Sequence, residues 1–363
     1  MSDVIREVRA IAGDYDEDNL TIATIGSHSA LNIFKGARDE GFKTVCVAVK
    51  GRERVYKYFN LVDEFIYVDD MSQLLDDEVQ EKLRGLNSIV VPHGSFNAYI
   101  DQDRMEKEFK VPLLGNRGLN KWETSRIMQH EWLRKAGLKV PQIYKSIDEL
   151  REGLAFVKFP GAKGGKGYFV VDSPDAFEKK LKTMVKNKLV TEEEAEHPYI
   201  QEYIIGVTIY PHYFYSALSD ETEFLGLDKR YESSVDGIFR IPVPEQLAQE
   251  ISPTFSIVGN FPMVVRESLL NDIFDIGEKI VDESQKIQPP GVLGPFCLET
   301  ICTEDMQLVA FEISTRIVAG CNVNIPTNPY AYLKYGENMY MGRRIAREVK
   351  EAVNAGRIRE VVT

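Results

Sequence analysis

Cysteines are few in this sequence, and they form no metal-binding pattern. The four of them make no C-x-x-C pair and no ligand set with histidines: Cys46, Cys297, Cys302 and Cys321. This spacing argues against both a zinc site and a disulfide framework. We therefore expect four small, buried cysteines in a reducing cytoplasm.

Long apolar runs and an excess of positive charge are also missing. No run approaches the ~20 apolar residues that a membrane-spanning helix requires, and residues 1–20 are acidic and mixed, without the apolar core of a signal peptide. The net charge of -12 argues against a general nucleic-acid or acidic-membrane surface, because such surfaces are built from clustered cations. We expect a cytoplasmic protein whose partners are small molecules, including small anions in a local basic pocket.

The rest of the composition describes an ordinary globular protein. The chain has 363 residues, of which 44% are hydrophobic and 28% charged, with no low-complexity tract or obvious repeat. At ~150 residues per domain, this length predicts two or three domains. Strand-like runs alternate with helical patterns at residues 20–25, 44–49, 65–68 and 88–91, which predicts a parallel α/β domain.

Two clusters of histidine and serine follow strands of this predicted domain. Residues 27–29 read Ser-His-Ser after the first strand, and residues 93–95 read His-Gly-Ser after the last. Ligands of parallel sheets bind beyond the carboxyl ends of the strands. Together with Lys50 and Arg52 after another strand, these clusters indicate either a shared anion site or ordinary loop residues.

A glycine- and lysine-rich stretch lies between predicted strands at residues 154–157 and 169–171. Residues 158–168 contain four glycines and three lysines. Glycine lets backbone N–H groups approach an anion closely, and lysine supplies mobile positive charge. The spacing matches neither a P-loop nor a dinucleotide-binding turn. Taken alone, such a run is typical of a flexible, solvated hairpin loop; with a phosphate site elsewhere in the chain, it predicts a lid over phosphates.

Five further segments carry weaker signals. Residues 121–136 predict one amphipathic helix, and residues 199–206 predict a polar strand that is either an edge strand or a wall of an adenine pocket. The aromatic run 208–216 predicts core packing. The charged run 228–233 is typical of a solvated loop, and residues 257–262 are typical of a turn.

A predicted hairpin is the second informative feature, with strands at residues 294–299 and 308–316. Because side chains alternate along a strand, Glu312 and Arg316 share one face, and Glu299 on the partner strand can point the same way. Two carboxylates and an arginine suit Mg²⁺ ions that bridge nucleotide phosphates. The alternative is a cross-strand salt bridge on a solvated sheet face.

The order of these parts resembles the ATP-grasp superfamily. A Gly-rich strand-loop-strand is followed by a Gln-Glu strand, then by Glu on one strand and Glu-x-Ser-x-Arg on the next, all after an N-terminal α/β domain. More narrowly, the sequence resembles the archaeal formate-dependent synthetases of 5-formaminoimidazole-4-carboxamide ribotide (FAICAR) in purine biosynthesis. The segments that carry this resemblance span nearly the whole chain: residues 27–31, 91–96, 229–233, 294–297 and 342–348.

The resemblance implies an α/β protein with the ATP-grasp fold. Its parts would be a Rossmann-like domain over residues 1–120, a nucleotide-binding subdomain over 121–215 and a catalytic α+β domain over 216–363. It also implies a homo-oligomeric ligase that makes FAICAR from 5-aminoimidazole-4-carboxamide ribotide (AICAR), formate and ATP, with Mg²⁺ or Mn²⁺. The AICAR amine is delocalised and weakly nucleophilic, so formate would first become formyl phosphate.

The resemblance assigns roles to individual residues. Glu299 and Glu312 would hold the metal, and Arg316 would neutralise charge on the transferred phosphoryl group. The imidazole ribotide would be bound by His28, Ser95 and Asn260. ATP would be bound by Lys158, Lys163, Gly164, Gly165, Lys166, Gln201, Glu202, Tyr203, Ile204 and Glu232. No acid–base catalyst is implied.

The sequence departs from the family pattern at two places that bear on the acceptor site. Cys321 stands in place of the threonine of a Gly-Thr-Asn, residues 325–328 stand where the family has a glycine-bearing segment, and no second arginine follows Arg117. Three hypotheses stay open: a FAICAR-forming ligase, an ATP-grasp ligase for another small carboxylate and amine, and a nucleotide-binding protein without catalysis. The intact carboxylate–arginine face argues against the third.

Overall fold

Three sheets organise the described part of the chain, which is residues 3–159, 168–248 and 256–363 of a computed structural model. The strands are β1 Thr21–Ile25, β2 Lys43–Val49, β3 Glu64–Val68, β4 Ser88–Val90, β5 Ile143–Tyr144, β6 Ala155–Lys158, β7 Phe169–Val171, β8 Tyr199–Glu202, β9 Val207–Ser216, β10 Glu221–Glu232, β11 Ile257–Met263, β12 Gly294–Cys302 and β13 Leu308–Ser314. The helices are α1 Asp3–Gly13, α2 Ala30–Asp39, α3 Arg54–Phe59, α4 Asp77–Gly85, α5 Gly94–Tyr99, α6 Gln102–Glu108, α7 Asn120–Thr124, α8 Arg126–Lys135, α9 Pro174–Lys186, α10 Glu192–Ala195, α11 Ser233–Ile238, α12 Val243–Ala248, α13 Leu270–Ile287, α14 Pro329–Tyr335, α15 Met341–Asn354 and α16 Ile358–Val361.

The first sheet is parallel and lies in the N-terminal part of the chain, as the alternation of strands and helices predicts. Its strand order is β3-β2-β1-β4, and every neighbouring pair is parallel. Apolar runs such as residues 21–25 form these strands because both faces of the sheet are covered. The helices α2 and α5 follow β1 and β4, so residues 27–29 and 93–95 meet at the carboxyl edge of the sheet.

The second sheet is antiparallel, in the order β11-β10-β9-β12-β13. One face of this sheet packs on α8 and α13 through buried side chains such as Tyr213, Phe296 and Ile313. This packing confirms that the aromatic run 208–216 belongs to the core. The opposite face packs on α15 at one end and carries polar side chains at the other: His212, Asp228, Arg230, Asn260, Glu299 and Glu312.

The third sheet is also antiparallel, with strand order β5-β8-β6-β7, and has a hydrophobic core of its own beneath α9. The predicted hairpin around the glycine-rich stretch is confirmed, since β6 pairs with β7. Residues 160–167, which hold Lys163, Gly164, Gly165 and Lys166, lie outside the described residues.

Three local predictions were wrong. The helix expected over residues 121–136 is divided into α7 and α8, because Ser125 is extended and its hydroxyl caps α8 by accepting from Met128 N. Residues 228–232 of the expected loop belong to β10, and the expected turn at 257–262 belongs to β11; the two strands pair with each other. Composition favoured loops there, but pairing within the sheet satisfies their backbone groups.

The structure also bears on the expectations for the cysteines and for membrane-spanning helices. All four cysteines are free and buried, as expected. Within the described ranges, no helix is both long enough and apolar enough to cross a membrane. The domain boundaries given above stay a prediction; β9, which ends at Ser216, pairs with both β10 and β12.

Candidate functional site

A cavity of about 210 Å³ lies between the carboxyl edge of the parallel sheet and the polar face of the five-stranded sheet. It brings together five residues that the sequence predicted separately: His28, Asn260, Glu299, Glu312 and Arg316. Its other lining residues are Tyr210, Asp228, Arg230, Ile257, Cys297, Val318, Ala319 and Gly320.

Sheet register places the two glutamates side by side. Glu299 on β12 is the direct cross-strand partner of Glu312 on β13, so both side chains project from the same face. A β-bulge follows Glu299 in the pairing of the two strands. The hairpin geometry predicted from alternation is therefore confirmed.

The carboxylate pair is surrounded by cations. Arg230 binds Glu299 through both terminal nitrogens of its guanidinium, Nη1 and Nη2, and Nη1 lies 2.7 Å from Oε2. Its Cζ lies 4.2 Å from the centre of the Tyr210 ring. Burial and the charge of Glu299 raise the pKa of Glu312 to about 7, although nearby arginines and Lys158 pull it down. The alternative of a solvated sheet face is wrong, since Glu299 is only 4% exposed.

Lys158 approaches this pair from the third sheet. Burial lowers the pKa of the Lys158 ammonium, and the charge of Glu312 opposes that shift. Its Nζ lies 5.2 Å from the centre of the Phe156 ring. One cation of the smaller sheet thus lies close enough to the carboxylates of the larger sheet to interact with them electrostatically.

Arg316 is held by a glutamate that the sequence did not single out. Its Nη2 lies 3.0 Å from Oε1 of Glu123 on α7. Glu123 is buried and also accepts hydrogen bonds from Thr315 N at 2.8 Å and from Asn97 Nδ2 at 2.7 Å. This network links α5, α7 and the end of β13 and fixes the direction of the guanidinium. An acidic residue within a predicted amphipathic helix carried no signal of this role.

His28 forms the neutral wall of the cavity; His93 and Ser95, at the same edge of the parallel sheet, are not among the residues that line it. His93 is fully buried; its Nε2 lies 3.0 Å from the carbonyl of Ile25, and its Nδ1 accepts from Ser95 N at 3.2 Å. Burial lowers the pKa of His93 to about 4. The ring of His28 stacks on it with centroids 5.5 Å apart, and the Ser95 hydroxyl bonds to Ser27 Oγ at 2.8 Å.

His28 itself has an unusual backbone conformation. Its φ is 48°, in the left-handed region, and its Nδ1 lies 2.7 Å from Ser29 Oγ. Burial of part of the ring, with a contribution from His93, lowers the pKa of His28. A Cβ at residue 94 would lie 2.7 Å from His28 Nε2, so glycine there leaves room for the ring. Lys50 instead forms an exposed ion pair with Asp69 at 2.9 Å.

The residues expected around adenine lie on and just after β8. This strand pairs with both β5 and β6, so the alternative of an edge strand is wrong. Gln201 is buried, and Glu202 accepts from Gln142 N at 3.1 Å. The strand ends at Glu202, so Tyr203 and Ile204 follow it; the Tyr203 ring lies 6.0 Å from that of Phe156.

Glu232 lies at the end of β10, close to Arg230 and Glu299. Burial raises the pKa of its carboxyl group, and Arg230 opposes this shift. Asp228 and Arg230 lie two residues apart on the strand, so they share a face; the pairing with β11 is irregular between Tyr231 and Glu232. In the sequence, Lys229 adds a charge between Asp228 and Arg230, so the spacing of charges did not distinguish a polar strand from a loop.

The two departures from the family pattern have different positions. Arg117 is buried and donates to the carbonyls of Phe109 and Thr363 at 2.6 and 2.5 Å, so it binds main chain near the C-terminus. Cys321 follows Gly320 of the cavity lining in a short 3₁₀ helix, and its carbonyl accepts from Asn32 Nδ2 at 2.9 Å.

The described residues contain no group of three or more side chains from His, Cys, Asp and Glu arranged to hold a metal ion. The Glu299–Glu312 pair still fits Mg²⁺, which is commonly held by one or two carboxylates and completed by water and substrate phosphates. A divalent cation would also stabilise the charged form of the Glu312 carboxyl group, which burial and the charge of Glu299 now disfavour.

Comparisons with known proteins identify the family. A family model described as a domain of unknown function, DUF1297, matches residues 176–363, and one described as a protein of unknown function, DUF1246, matches residues 22–144. The 5-formaminoimidazole-4-carboxamide-1-(beta)-D-ribofuranosyl 5'-monophosphate synthetase of Methanocaldococcus jannaschii is 48% identical over 357 residues, which are 98% of this chain and 99% of that protein. The chain belongs to the FAICAR synthetase family.

Solved structures agree with this assignment. The crystal structure of an IMP biosynthesis protein PurP from Thermococcus kodakaraensis matches with a TM-score of 0.75 and 33% identity, over 94% of this chain and 100% of that chain. A biotin carboxylase from Campylobacter jejuni matches with a TM-score of 0.65 at 12% identity, over 91% of this chain and 70% of that one, and shows the fold alone. The ATP-grasp fold predicted from the sequence is confirmed.

Proposed function

We propose that this protein is an ATP-dependent carbon–nitrogen ligase that joins formate to the amine of AICAR and releases FAICAR, ADP and phosphate. One observation carries the proposal: a single cavity is lined by the neutral His28 and by the charged Glu299, Glu312 and Arg316. The chain also matches a FAICAR synthetase over 98% of its own length. A neutral wall suits an imidazole ring, and a charged wall suits phosphoryl transfer.

We infer that Arg316 acts on the transferred phosphoryl group. Its Nη2 is already bound to Glu123, which fixes the side chain, whereas its buried Nε has no hydrogen-bond partner among the described residues. A buried N–H donor without a partner is costly unless a ligand satisfies it. A phosphoryl oxygen would do so, and the guanidinium would stabilise the charge that develops there.

Glu299 and Glu312 are proposed to hold Mg²⁺ or Mn²⁺, which would screen the negative charge of the ATP phosphates. Lys158 would reach those phosphates from the smaller sheet, because its Nζ already lies within the field of both glutamates. Gln201, Glu202, Tyr203 and Ile204 would line the adenine pocket, and Glu232 would contact the nucleotide. The glycine-rich residues 163–166 complete this set as a sequence prediction.

The chemistry needs two steps. A formate oxygen attacks the γ-phosphorus of ATP and ADP leaves, giving formyl phosphate; the AICAR amine then attacks the formyl carbon, and inorganic phosphate leaves. His28, Ser95 and Asn260 would orient the ribotide so that its weak amine meets the formyl carbon. The cavity walls would limit access of water to formyl phosphate.

The decisive experiment incubates the purified protein with ATP, Mg²⁺, formate and AICAR in the absence of folate, and follows ADP and FAICAR. With ¹⁸O-labelled formate, one labelled oxygen should appear in inorganic phosphate, because the formate oxygen that attacks phosphorus leaves with it. Acetate in place of formate is the matched control. ADP release that requires a different carboxylate or amine would favour another ligase, and nucleotide binding without turnover would favour a non-catalytic protein.

We further propose that the protein works in the cytoplasm as a homo-oligomer. Light scattering coupled to size-exclusion chromatography measures the oligomeric state directly. A monomer at micromolar concentration would contradict this part of the proposal and leave the activity proposal intact.

A further inference from the structure

Asn260 is connected to a buried histidine–aspartate pair that the proposed chemistry does not use. His212 and Asp228 are 1% and 2% exposed, and His212 Nε2 lies 2.7 Å from Asp228 Oδ1. The second oxygen, Asp228 Oδ2, accepts a hydrogen bond from Asn260 Nδ2 at 2.6 Å. Three neighbouring strands, β9, β10 and β11, thus contribute one residue each to a hydrogen-bonded chain that ends at the cavity.

The sheet register explains why these three side chains meet. Asp228 is the cross-strand partner of Tyr210 on one side and of Pro262 on the other. His212 and Asn260 each lie two residues from those partners, so they are diagonal neighbours of Asp228 on the same face of the sheet.

The chemistry of the contact determines which end of the Asn260 amide faces Asp228. A carboxylate only accepts hydrogen bonds, whereas an amide has one donating and one accepting end. An oxygen of Asn260 placed 2.6 Å from Asp228 Oδ2 would set two acceptors against each other. The NH₂ group must therefore face Asp228, and the carbonyl oxygen Oδ1 is left for the cavity that Asn260 lines.

Asp228 is itself confined to this position. His212 donates to one of its oxygens, and a Cβ at residue 320 would lie 2.1 Å from Oδ1, so only glycine there leaves room for the carboxylate. The thiol groups of Cys297 and Cys321 lie within interaction distance of the His212 side chain. The carboxylate consequently presents a fixed acceptor to Asn260.

We propose that His212 and Asp228 are positioning residues that hold the Asn260 amide with Oδ1 toward the cavity, so that this position selects an acceptor substrate offering an N–H donor. The inference rests on the proposed function in one respect, namely that the cavity takes AICAR, which offers an amine and a carboxamide NH₂. A ligand with a carbonyl oxygen at the same position is disfavoured, because two acceptors would then meet.

Asp228→Asn tests this chain with almost no change in shape. The oxygen of the new amide can still accept from His212, but its NH₂ then faces Asn260 and favours the reversed amide. We expect the KM for AICAR to rise about 10- to 100-fold, since a buried donor of the substrate loses its acceptor, while the KM for ATP changes by less than about twofold. Asp305→Asn, on an exposed hairpin turn, is the matched control.

A double-substitution comparison separates positioning from direct action. If Asp228 acts through Asn260, Asp228→Asn combined with Asn260→Ala should raise the KM for AICAR no further than Asn260→Ala alone. Additive losses would overturn the proposal, because Asp228 would then act on the substrate independently. An unchanged KM for AICAR in Asp228→Asn, or equal rises in the KM for AICAR and for ATP, would overturn it as well.

The His212 pair of variants keeps the test decisive if Asp228→Asn folds poorly. His212→Gln retains an N–H donor and should behave close to the unmodified protein, whereas His212→Phe removes the donor and should reproduce the selective loss of AICAR affinity. Equal behaviour of the two would overturn the proposal. A protein without any AICAR turnover would instead refute the proposed function, and AICAR dissociation constants from calorimetry would still rank these variants.

Discussion

The cavity has two electrostatically different walls, one neutral and one charged. The histidine wall is His28, which lines the cavity, together with His93 and Ser95 beside it at the edge of the parallel sheet. Burial lowers the pKa of both imidazoles and keeps them neutral. The glutamate wall, formed by Glu299 and Glu312 with their arginines, is buried with opposite charges in contact.

The difference between the walls follows from what each side chain has within reach. Glu299 meets Arg230 across the sheet at hydrogen-bonding distance, so it is buried in contact with an opposite charge. His93 has only the carbonyl of Ile25 and the amide of Ser95, so its neutral form is favoured. Changes to the glutamate wall should therefore affect turnover, and changes to the histidine wall should affect binding of the acceptor.

Arg316→Ala should have the largest effect. Turnover should fall at least ~10³-fold, since a buried guanidinium beside the transferred group is lost, while ATP binding stays measurable. The fold should survive, because Glu123 keeps its hydrogen bonds from Thr315 and Asn97. Single-turnover ADP release measures the step. Lys50→Ala, which removes an exposed cation at the same sheet edge, is the control, and an undiminished rate in Arg316→Ala would refute the assigned role.

Glu312→Gln should lower turnover by about 10²-fold and raise the Mg²⁺ concentration needed for half-maximal activity. The change is nearly isosteric and removes the repulsion with Glu299 that raises the pKa of Glu312, so thermal stability without metal should not fall. A Mg²⁺ titration of activity checks the first statement and a melting curve the second. An unaltered Mg²⁺ requirement would show that Glu312 is not a metal ligand.

His28→Asn should raise the KM for AICAR about 10-fold, the usual size of one lost hydrogen bond to a substrate, with little change in the KM for ATP. Asparagine is the informative replacement because it tolerates the φ of 48° at this position better than alanine does. His28→Ala adds backbone strain and should also lower the melting temperature. An AICAR dissociation constant that is equal in His28→Asn and the unmodified protein would remove His28 from the acceptor site.

The two walls also differ in how far the sequence could predict them. The strands leading to the histidine wall are continuous apolar runs closed by polar residues, and their ends follow from local pattern alone. The β12–β13 hairpin was likewise predictable, because Glu299 and Glu312 keep to one side of clearly alternating strands.

The rest of the glutamate wall could not be read locally, because its charges are compensated by distant partners. Asp228 and Arg230 look like a solvated loop in the sequence. In the fold, Asp228 contacts His212, which is 16 residues away in the sequence, and Arg230 contacts Glu299, which is 69 residues away. Glu123 is even further from the Thr315 amide that it binds, at 192 residues. Only the register of the sheet and the packing of α7 bring these groups together.

The smallest expected effect is on stability rather than activity, and it isolates the neutral state of the histidine wall. An unfolded histidine takes up a proton near pH ~6.5, whereas folded His93 does so at about 4. The folded pKa is the lower one, so this group stabilises the fold above pH ~6.5 and that contribution is lost as pH falls toward ~4.

His93→Asn keeps an acceptor for the Ser95 amide but cannot titrate. Between pH ~7 and ~4.5, the unmodified protein should lose roughly 2–3 kcal/mol more unfolding free energy than His93→Asn does. Glu312 shifts stability in the opposite direction, but equally in both proteins, so it cancels. Urea unfolding at the two pH values gives the comparison, and His197→Asn, at an exposed position, is the control. Parallel pH profiles for His93→Asn and the unmodified protein would show that folding does not lower the pKa of His93.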